Sequence, residues 1–472
     1  MNSNPTAPLS ARLPAWPTIV PIPPARLPLA DALASATDTR ELRLGSGTLA
    51  ELAEVFRAQF PGRTACIVAD EATLALAGQA AQAQLAAAGL AAVPPFVFRD
   101  PGLYAEFRYV EILEAEFRRH EAVPVAVGAG TINDLVKLAA HRVGRPYLAV
   151  ATAASMDGYT AFGASITHHG AKQTFRCPAP RAVVADLDLI RQAPGAMTAS
   201  GYADLQAKLT AGADWLLADA LGAEEIDPRA WAIVQGGLPD ALVDPAGAQA
   251  GRGQAIGALT EGLMLGGFAM QWAKSSRPAS GAEHQFSHLW DMEHHVHDGA
   301  APSHGFKVGV ATLAIASLYE ELLRRPLDRL DVERCCARWP EWPAVEADLR
   351  ARFAGEDFVE TAVEETAAKH PPAAELRAQL ERLRAVWPSL RQNLRAQLPP
   401  MTELKRRLAQ AGAPTEPEAI GLTRERLRRT FTRAYFIRRR FTVLDLVVRA
   451  GCLDDCLATL FGPGGAWAPR SS

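Results

Sequence analysis

Between about residues 45 and 190 the chain alternates short apolar runs with longer amphipathic stretches. TACIVAD (64–70) is a continuous apolar run closed by a polar residue, the pattern of a strand covered on both faces. LALAGQAAQAQLAAAGL (74–90) reads as the helix that follows it. AVPPFVF is a weaker strand, and YAEFRYVEILEAEFRRHE is a helix. VPVAVGAG, TINDLVKLAAHRV and PYLAVATA then read as strand, helix and strand, and AVVADLDLI near 182–190 as an added edge strand. Strands alternating with helices predict a parallel, Rossmann-like sheet with helices on both faces and ligands at the carboxyl ends of its strands.

From about residue 195 the period changes to that of helices, as in MTASGYADLQAKLTAGADWLLADALG and FKVGVATLAIASLYEELLRR. No strand pattern follows. The expected organisation is a proline-rich lead-in (1–40), an α/β domain (41–192), an all-helical domain (193–460) and a flexible tail (461–472). The charged helices of 340–415 read as peripheral.

Composition narrows the partners. The 472 residues are 49% hydrophobic, with a net charge of −3, so no bulk field draws the chain to nucleic acid or a membrane surface. The basic runs RERLRR (424–429) and RRR (438–440) read as wet faces of amphipathic helices. No apolar run is long enough for a membrane span. The six cysteines form no C-x-x-C pair and read as reduced thiols. The start lacks the charged and apolar blocks of a secretory signal, so a cytoplasmic location is expected. A homodimer stays open, since no residue argues for one.

Three polar groupings carry candidate chemistry. In VPVAVGAGTIND, Gly128 and Gly130 turn a strand into a helix, whose free amides would face an anion. The pattern G-x-G-x-x-N misses the third glycine of the dinucleotide fingerprint, so a purely structural turn fits equally. Thr131 and Asn133 could add donors there, and Asp134 could fix the turn. Asp70, at a strand end, suits either a ribose hydroxyl or a helix cap. Thr152, Ser155, Asp157 and Gly158 form one polar turn after the next strand.

The third grouping is histidine-rich. SGAEHQFSHLWDMEHHVH (280–297) holds five of the eleven histidines, and His304 follows in HGFKVG. His284 and His288, four apart, share a helix face. Asp204 lies in an apolar helical stretch, where a carboxylate is costly unless paired or coordinated. Asp204, His284 and His304 would make a divalent-metal site with an open position. Histidines four apart are also common without a metal. His294, His295 and His297 sit in EHHVHDG and read as a solvated helix end.

Several phrases, in order, resemble the sn-glycerol-1-phosphate dehydrogenase family, its bacterial branch above all: GAGTINDLVK, ATAASMDGYTAFGA, SGYADLQAKLTAGADWLLAD, SSRPASGAEHQFSHLWDM, HGFKVGVATL and RRRFTVLDL. That family lies within the dehydroquinate synthase-like and iron-containing alcohol dehydrogenase-like group. The resemblance implies a Rossmann-like domain followed by an all-α domain. It implies NAD or NADP, held by Gly128, Gly130, Thr131, Ile132, Asn133, Asp134, Thr152 and Ser155, with Asp70 at the adenosine ribose. It implies one divalent metal on Asp204, His284 and His304, with zinc first and nickel or iron as alternatives. His288 and Asp157 would be catalytic and contact substrate. Where archaeal members carry a serine near the nicotinamide, this chain has Ala161. Lys208 stands where related alcohol dehydrogenases have a fourth ligand. The implied reaction interconverts dihydroxyacetone phosphate and sn-glycerol 1-phosphate, and Lys172, Lys208 and Lys307 are the candidate phosphate cations. Related polyol or sugar-phosphate dehydrogenases, a dehydroquinate synthase-like cyclase and a nucleotide-binding sensor are the alternatives.

Overall fold

The computed structural model describes residues 22–91, 93–168 and 171–469, with the backbone alone at 171 and 172. Among the described residues eight strands form: β1 (Glu41–Gly45), β2 (Ala65–Asp70), β3 (Phe96–Phe98), β4 (Val123–Gly128), β5 (Leu148–Ala151), β6 (Ala164–His168), β7 (Ala171–Phe175) and β8 (Ala182–Asp186). Six make one parallel sheet in the order β1-β8-β5-β4-β2-β3.

The central strands are buried on both sides, and alternate residues feed two cores. Ile67, Val125, Val127, Val150 and Val184 face one core with Val55, Phe56 and Leu85. Val68, Ala126, Ala149, Ala151 and Val183 face the other. The second face carries small residues, and Ile132, Leu135 and Val136 of the Gly130–Arg142 helix belong to its core. The chain runs outward from β2 to β3 on one side and from β4 through β5 to β8 on the other. The reversal between β2 and β4 marks the crevice at which doubly wound sheets take their ligands.

Beyond β8 every regular element among the described residues is a helix. The Gly195–Gln206 and Lys208–Ala220 helices follow one another almost without a break and are buried nearly throughout. The Gly253–Ala273, Ala282–Met292 and His304–Leu322 helices pack around them. None of the helices is long and apolar enough to cross a membrane.

Several expectations change. The β8 segment is interior, and the sheet edge on that side is β1, whose residues are all half-buried and show no clear alternation. A separate antiparallel hairpin, β6–β7, was not expected. The lead-in is not wholly extended: the Leu29–Ser35 helix sets Ala32 and neighbouring leucines against Leu265 and Phe268. Residues 340–415 are not merely peripheral, since the Ala373–Gln397 helix buries Leu376, Leu380, Leu383, Trp387, Leu390 and Leu394 in the main core. In the tail, Trp467 is 1% exposed and donates its indole N–H to Ser317 Oγ at 2.8 Å. Arg438–Arg440 lie outside any helix, in the link before the Val443–Arg449 helix. RERLRR does lie on an amphipathic helix, Arg424–Arg433.

Candidate active site

β4 ends at Gly128, and the Gly130–Arg142 helix starts two residues later. A Cβ on Gly128 would lie 2.5 Å from Ile132 Cβ, and one on Gly130 would lie 2.8 Å from Met156 Cε. The turn therefore needs glycine at 128, while at 130 the flexible tip of Met156 can give way. No side chain caps the helix at Ala129. Its first amides are left for a ligand, the arrangement that suits a phosphate. Ala129, Gly130, Thr131 and Asp134 line a cavity of about 480 Å³.

A second wall of this cavity is the segment after β5, which contributes Ser155, Asp157, Gly158 and Ala161. The Lys137 ammonium fixes that segment. It is buried and donates to the carbonyls of Gly158 (2.8 Å), Ala161 (3.0 Å) and Gly163 (3.0 Å). Asn133 also serves the framework, its amide donating to the Gly158 carbonyl at 3.2 Å while its oxygen accepts from Tyr147. Asp134 accepts from the Ser165 backbone N–H at 3.1 Å. Gly128, Ile132 and Thr152 lie behind the cavity wall, and the Thr152 N–H reaches the Gly128 carbonyl. Asp70 forms a capping box with Thr73 through Oδ1 and is not part of the lining.

The helical domain closes the cavity with His284, His288 and His304. Two glycines allow its helices to come this close. A Cβ on Gly201 would lie 1.9 Å from the Ala154 carbonyl oxygen, and one on Gly305 would lie 1.9 Å from that of Ser200. Asp204, His284 and His304 each offer one ligand atom, all within 4.8 Å of one another. His284 Nε2 stands 3.7 Å from Asp204 Oδ1, and the His284 and His304 rings are 5.3 Å apart. One carboxylate and two imidazoles at this spacing suit a borderline divalent ion, so the residues fit a metal. His288 lies one turn beyond His284, ring to ring 6.3 Å.

The surroundings prepare the cluster. Glu283 is fully buried and binds His284 Nδ1 at 2.7 Å, while accepting from Thr210 Oγ1 and the Gly281 N–H. Such a carboxylate fixes the ring and leaves Nε2 for the metal. Burial alone would raise Glu283, but His284, the Gly281 N–H and the Thr210 hydroxyl together outweigh that and hold it below its ordinary range. Asp204 is likewise pushed up by burial, yet Lys208 and the two imidazoles hold it well below the usual carboxylate range. Lys208 is buried between Asp204 Oδ1 and Asp157 Oδ2, 2.7 Å from each. Burial lowers Lys208, and the two carboxylates more than reverse this. Asp157 is raised by burial and by Asp204, against Lys208.

The candidate phosphate cations fare differently. Lys208 is committed to two carboxylates. Lys307 is buried, paired with Asp291, and absent from the lining. Lys172 lies in β7, and its side chain lies outside the described residues. Arg438 lines the cavity instead. Of the three histidines expected to be solvated, His295 is buried, its Nε2 at the Ile420 carbonyl and its Nδ1 at Arg426. None of the three joins the metal cluster.

Lys137, Glu283 and Arg438 were not singled out from sequence. Glu283 had a signal, its place beside His284. Lys137 had none, because its partners are backbone carbonyls 21 to 26 residues away.

A sequence profile of the iron-containing alcohol dehydrogenases matches residues 43–194. Among solved structures, glycerol dehydrogenase from Schizosaccharomyces pombe superposes with a TM-score of 0.55 at 15% identity, covering 93% of this chain and 97% of that one. A probable glycerol dehydrogenase from Sinorhizobium meliloti gives 0.54 at 15% identity, covering 89% and 97%. These two likenesses concern the fold. In sequence, the chain is 37% identical over 270 residues to the glycerol-1-phosphate dehydrogenase [NAD(P)+] of Halalkalibacterium halodurans, 57% of this chain and 67% of that protein. It is 30% identical over 334 residues to that of Geobacillus thermodenitrificans, 71% and 72% of the two chains. An open helix N-terminus, a compact set of metal-ligating side chains and relatives matched over most of their length agree: the chain belongs to the glycerol-1-phosphate dehydrogenase family of NAD(P)-linked oxidoreductases.

Proposed function

We propose that the protein is a metal-dependent, NAD(P)-linked dehydrogenase interconverting dihydroxyacetone phosphate and sn-glycerol 1-phosphate at C2. One observation carries this reading. An uncapped helix N-terminus and the two imidazoles of the Asp204, His284 and His304 set line the same cavity, with Asp204 buried directly behind His284. The names of the relatives supply the substrate.

The amides at Gly130 and Thr131 would hold the dinucleotide pyrophosphate. Asp70 spends Oδ1 on its capping box and would offer Oδ2 to a ribose hydroxyl. Ser155 and Ala161 would border the nicotinamide, with Ala161 lacking the hydroxyl a serine would supply. Asp204, His284 and His304 would hold zinc, or nickel or iron in its place. When bound, the nicotinamide supplies or takes hydride and the metal acts as a Lewis acid toward the C2 oxygen.

The chain's own residues do the rest. His288 would carry the proton to or from the C2 oxygen. Asp157, held by Lys208, would accept from a substrate hydroxyl and fix the carbon skeleton. Met197, Met270 and Phe306 line the cavity and exclude water around C2.

The test is NADH oxidation with dihydroxyacetone phosphate, with the product assigned by stereospecific enzymes. The expected product is sn-glycerol 1-phosphate. Formation of the 3-phosphate enantiomer, or no oxidation by protein that binds NADH, contradicts the proposal. Turnover of another substrate without net change in NADH would instead indicate a cyclase. Replacing His288 with Ala should lower kcat by about 10²–10⁴-fold while the protein keeps its metal.

A further inference from the structure

The three arginines at 438–440 have three different surroundings. Arg439 is bound to Glu365 through its guanidinium and its backbone N–H. Arg440 donates to the Ser280 carbonyl at 2.7 Å and to Ser276 Oγ at 2.9 Å, holding in place a loop that borders the cavity. Arg438 lines the cavity itself, together with His284, His288, Ser276 and Ser280.

The Arg438 guanidinium has no hydrogen-bond or ion-pair partner among the described residues. Burial lowers it from its ordinary value, and Glu365, the carboxylate whose charge opposes this, is already committed to Arg439. Arg438 is half-buried and lines the cavity, so an anion bound there would meet a cation with no competing partner among the described residues. Other anion holders near the histidines are already used. Lys208 is clamped between two carboxylates, and Lys307 is paired with Asp291. The first amides of the Ala282–Met292 helix are also spoken for: the Gly281 N–H goes to Glu283 and the Ala282 N–H to Asp214. The open amides at Gly130 belong to the dinucleotide.

We infer that Arg438 recognises the substrate's phosphate dianion and so sets the preference for a phosphorylated three-carbon substrate over the bare polyol or ketone. The planar guanidinium can meet two phosphate oxygens with a rigid pair of parallel N–H groups, whereas a lysine acts as a point charge. Arg440 is the positioning residue for the same wall, through Ser276 and Ser280. The inference rests on the phosphotriose reading given above.

The test compares kcat/KM for dihydroxyacetone phosphate and for dihydroxyacetone, with NADH, in the wild type, Arg438→Met and Arg438→Lys. The ratio of the two values should fall by about 100-fold or more in Arg438→Met, mainly through KM, and recover in part in Arg438→Lys. Retained NADH binding by Arg438→Met establishes that the variant is folded. A ratio unchanged from wild type in folded Arg438→Met overturns the inference, as does a collapse of the ratio in Lys172→Met alone. Should the wild type show no preference for the phosphorylated ketone, the phosphotriose reading fails. Calorimetry with inorganic phosphate then still decides Arg438. Phosphate binding present in wild type and lost in Arg438→Met supports its role, and equal binding, or none in either, overturns it.

Discussion

Lys137 shows how much of the site rests on one side chain. Its ammonium satisfies three buried carbonyls in the segment that carries Asp157 and Ala161. Replacing it with Met keeps the bulk but strands the Ala161 and Gly163 carbonyls, at about 1–3 kcal/mol for each, while the Gly158 carbonyl keeps the Asn133 amide. Denaturant unfolding of Lys137→Met should show that loss, and NADH affinity should weaken with it because the loop borders the cavity. Unchanged stability and affinity would mean that the loop holds itself. At this scale the sequence was legible wherever chemistry forces a residue type. A carboxylate in an apolar helix, a histidine on one helix and another at the start of the next, together with the family resemblance, pointed to Asp204, His284 and His304, which the fold brings together. His295 shows the limit. Its neighbours are polar, so it reads as wet, yet the Ile420 carbonyl and Arg426 arrive from more than a hundred residues away. Arg438 misled in the same way, since a run of three arginines resembles a solvated helix face until the chain's path separates them.

The elements reach the site only because small residues let them approach. The Gly195–Gln206 helix meets the segment after β5 at Gly201, where an added Cβ would overlap the Ala154 carbonyl oxygen at 1.9 Å. Backbone cannot yield as a flexible side chain can. Gly201→Val should therefore cost about 1–3 kcal/mol or more, and should shift Asp204 away from the histidines. Thermal denaturation and metal content would check both, and a variant with wild-type stability and full metal would refute the packing argument. Most strands and helices were visible as periodicity. The exceptions share a cause. β1 is half-buried along its whole length, and the β6–β7 hairpin lies outside the six-stranded sheet with an isolated bridge from Thr167 to Glu106, so neither carries the apolar run of a strand covered on both faces. β8 was visible, but its interior position depends on pairing with β1, which is a matter of topology.

At the scale of the whole molecule, the helical domain is tied together by segments that look expendable in sequence. Trp467 in the glycine-rich tail fills the core beside the His304–Leu322 helix and binds Ser317. Trp467→Ala should destabilise the protein by about 3–5 kcal/mol in equilibrium unfolding. A change near zero would show that the tail is an appendage. The Ala373–Gln397 helix holds apolar residues on one stripe only, which from sequence suits a surface helix equally well. Its burial is decided by the helices it meets.

We propose that Asp204, His284 and His304 bind one divalent ion on which turnover depends. The most direct measurement follows NADH oxidation with dihydroxyacetone phosphate before and after chelation, and again after metal is returned. Activity should vanish on chelation and return with about one equivalent of zinc, nickel or iron in the wild type. His284→Ala and His304→Ala should not recover. Full activity in protein shown by elemental analysis to be free of metal would contradict the account.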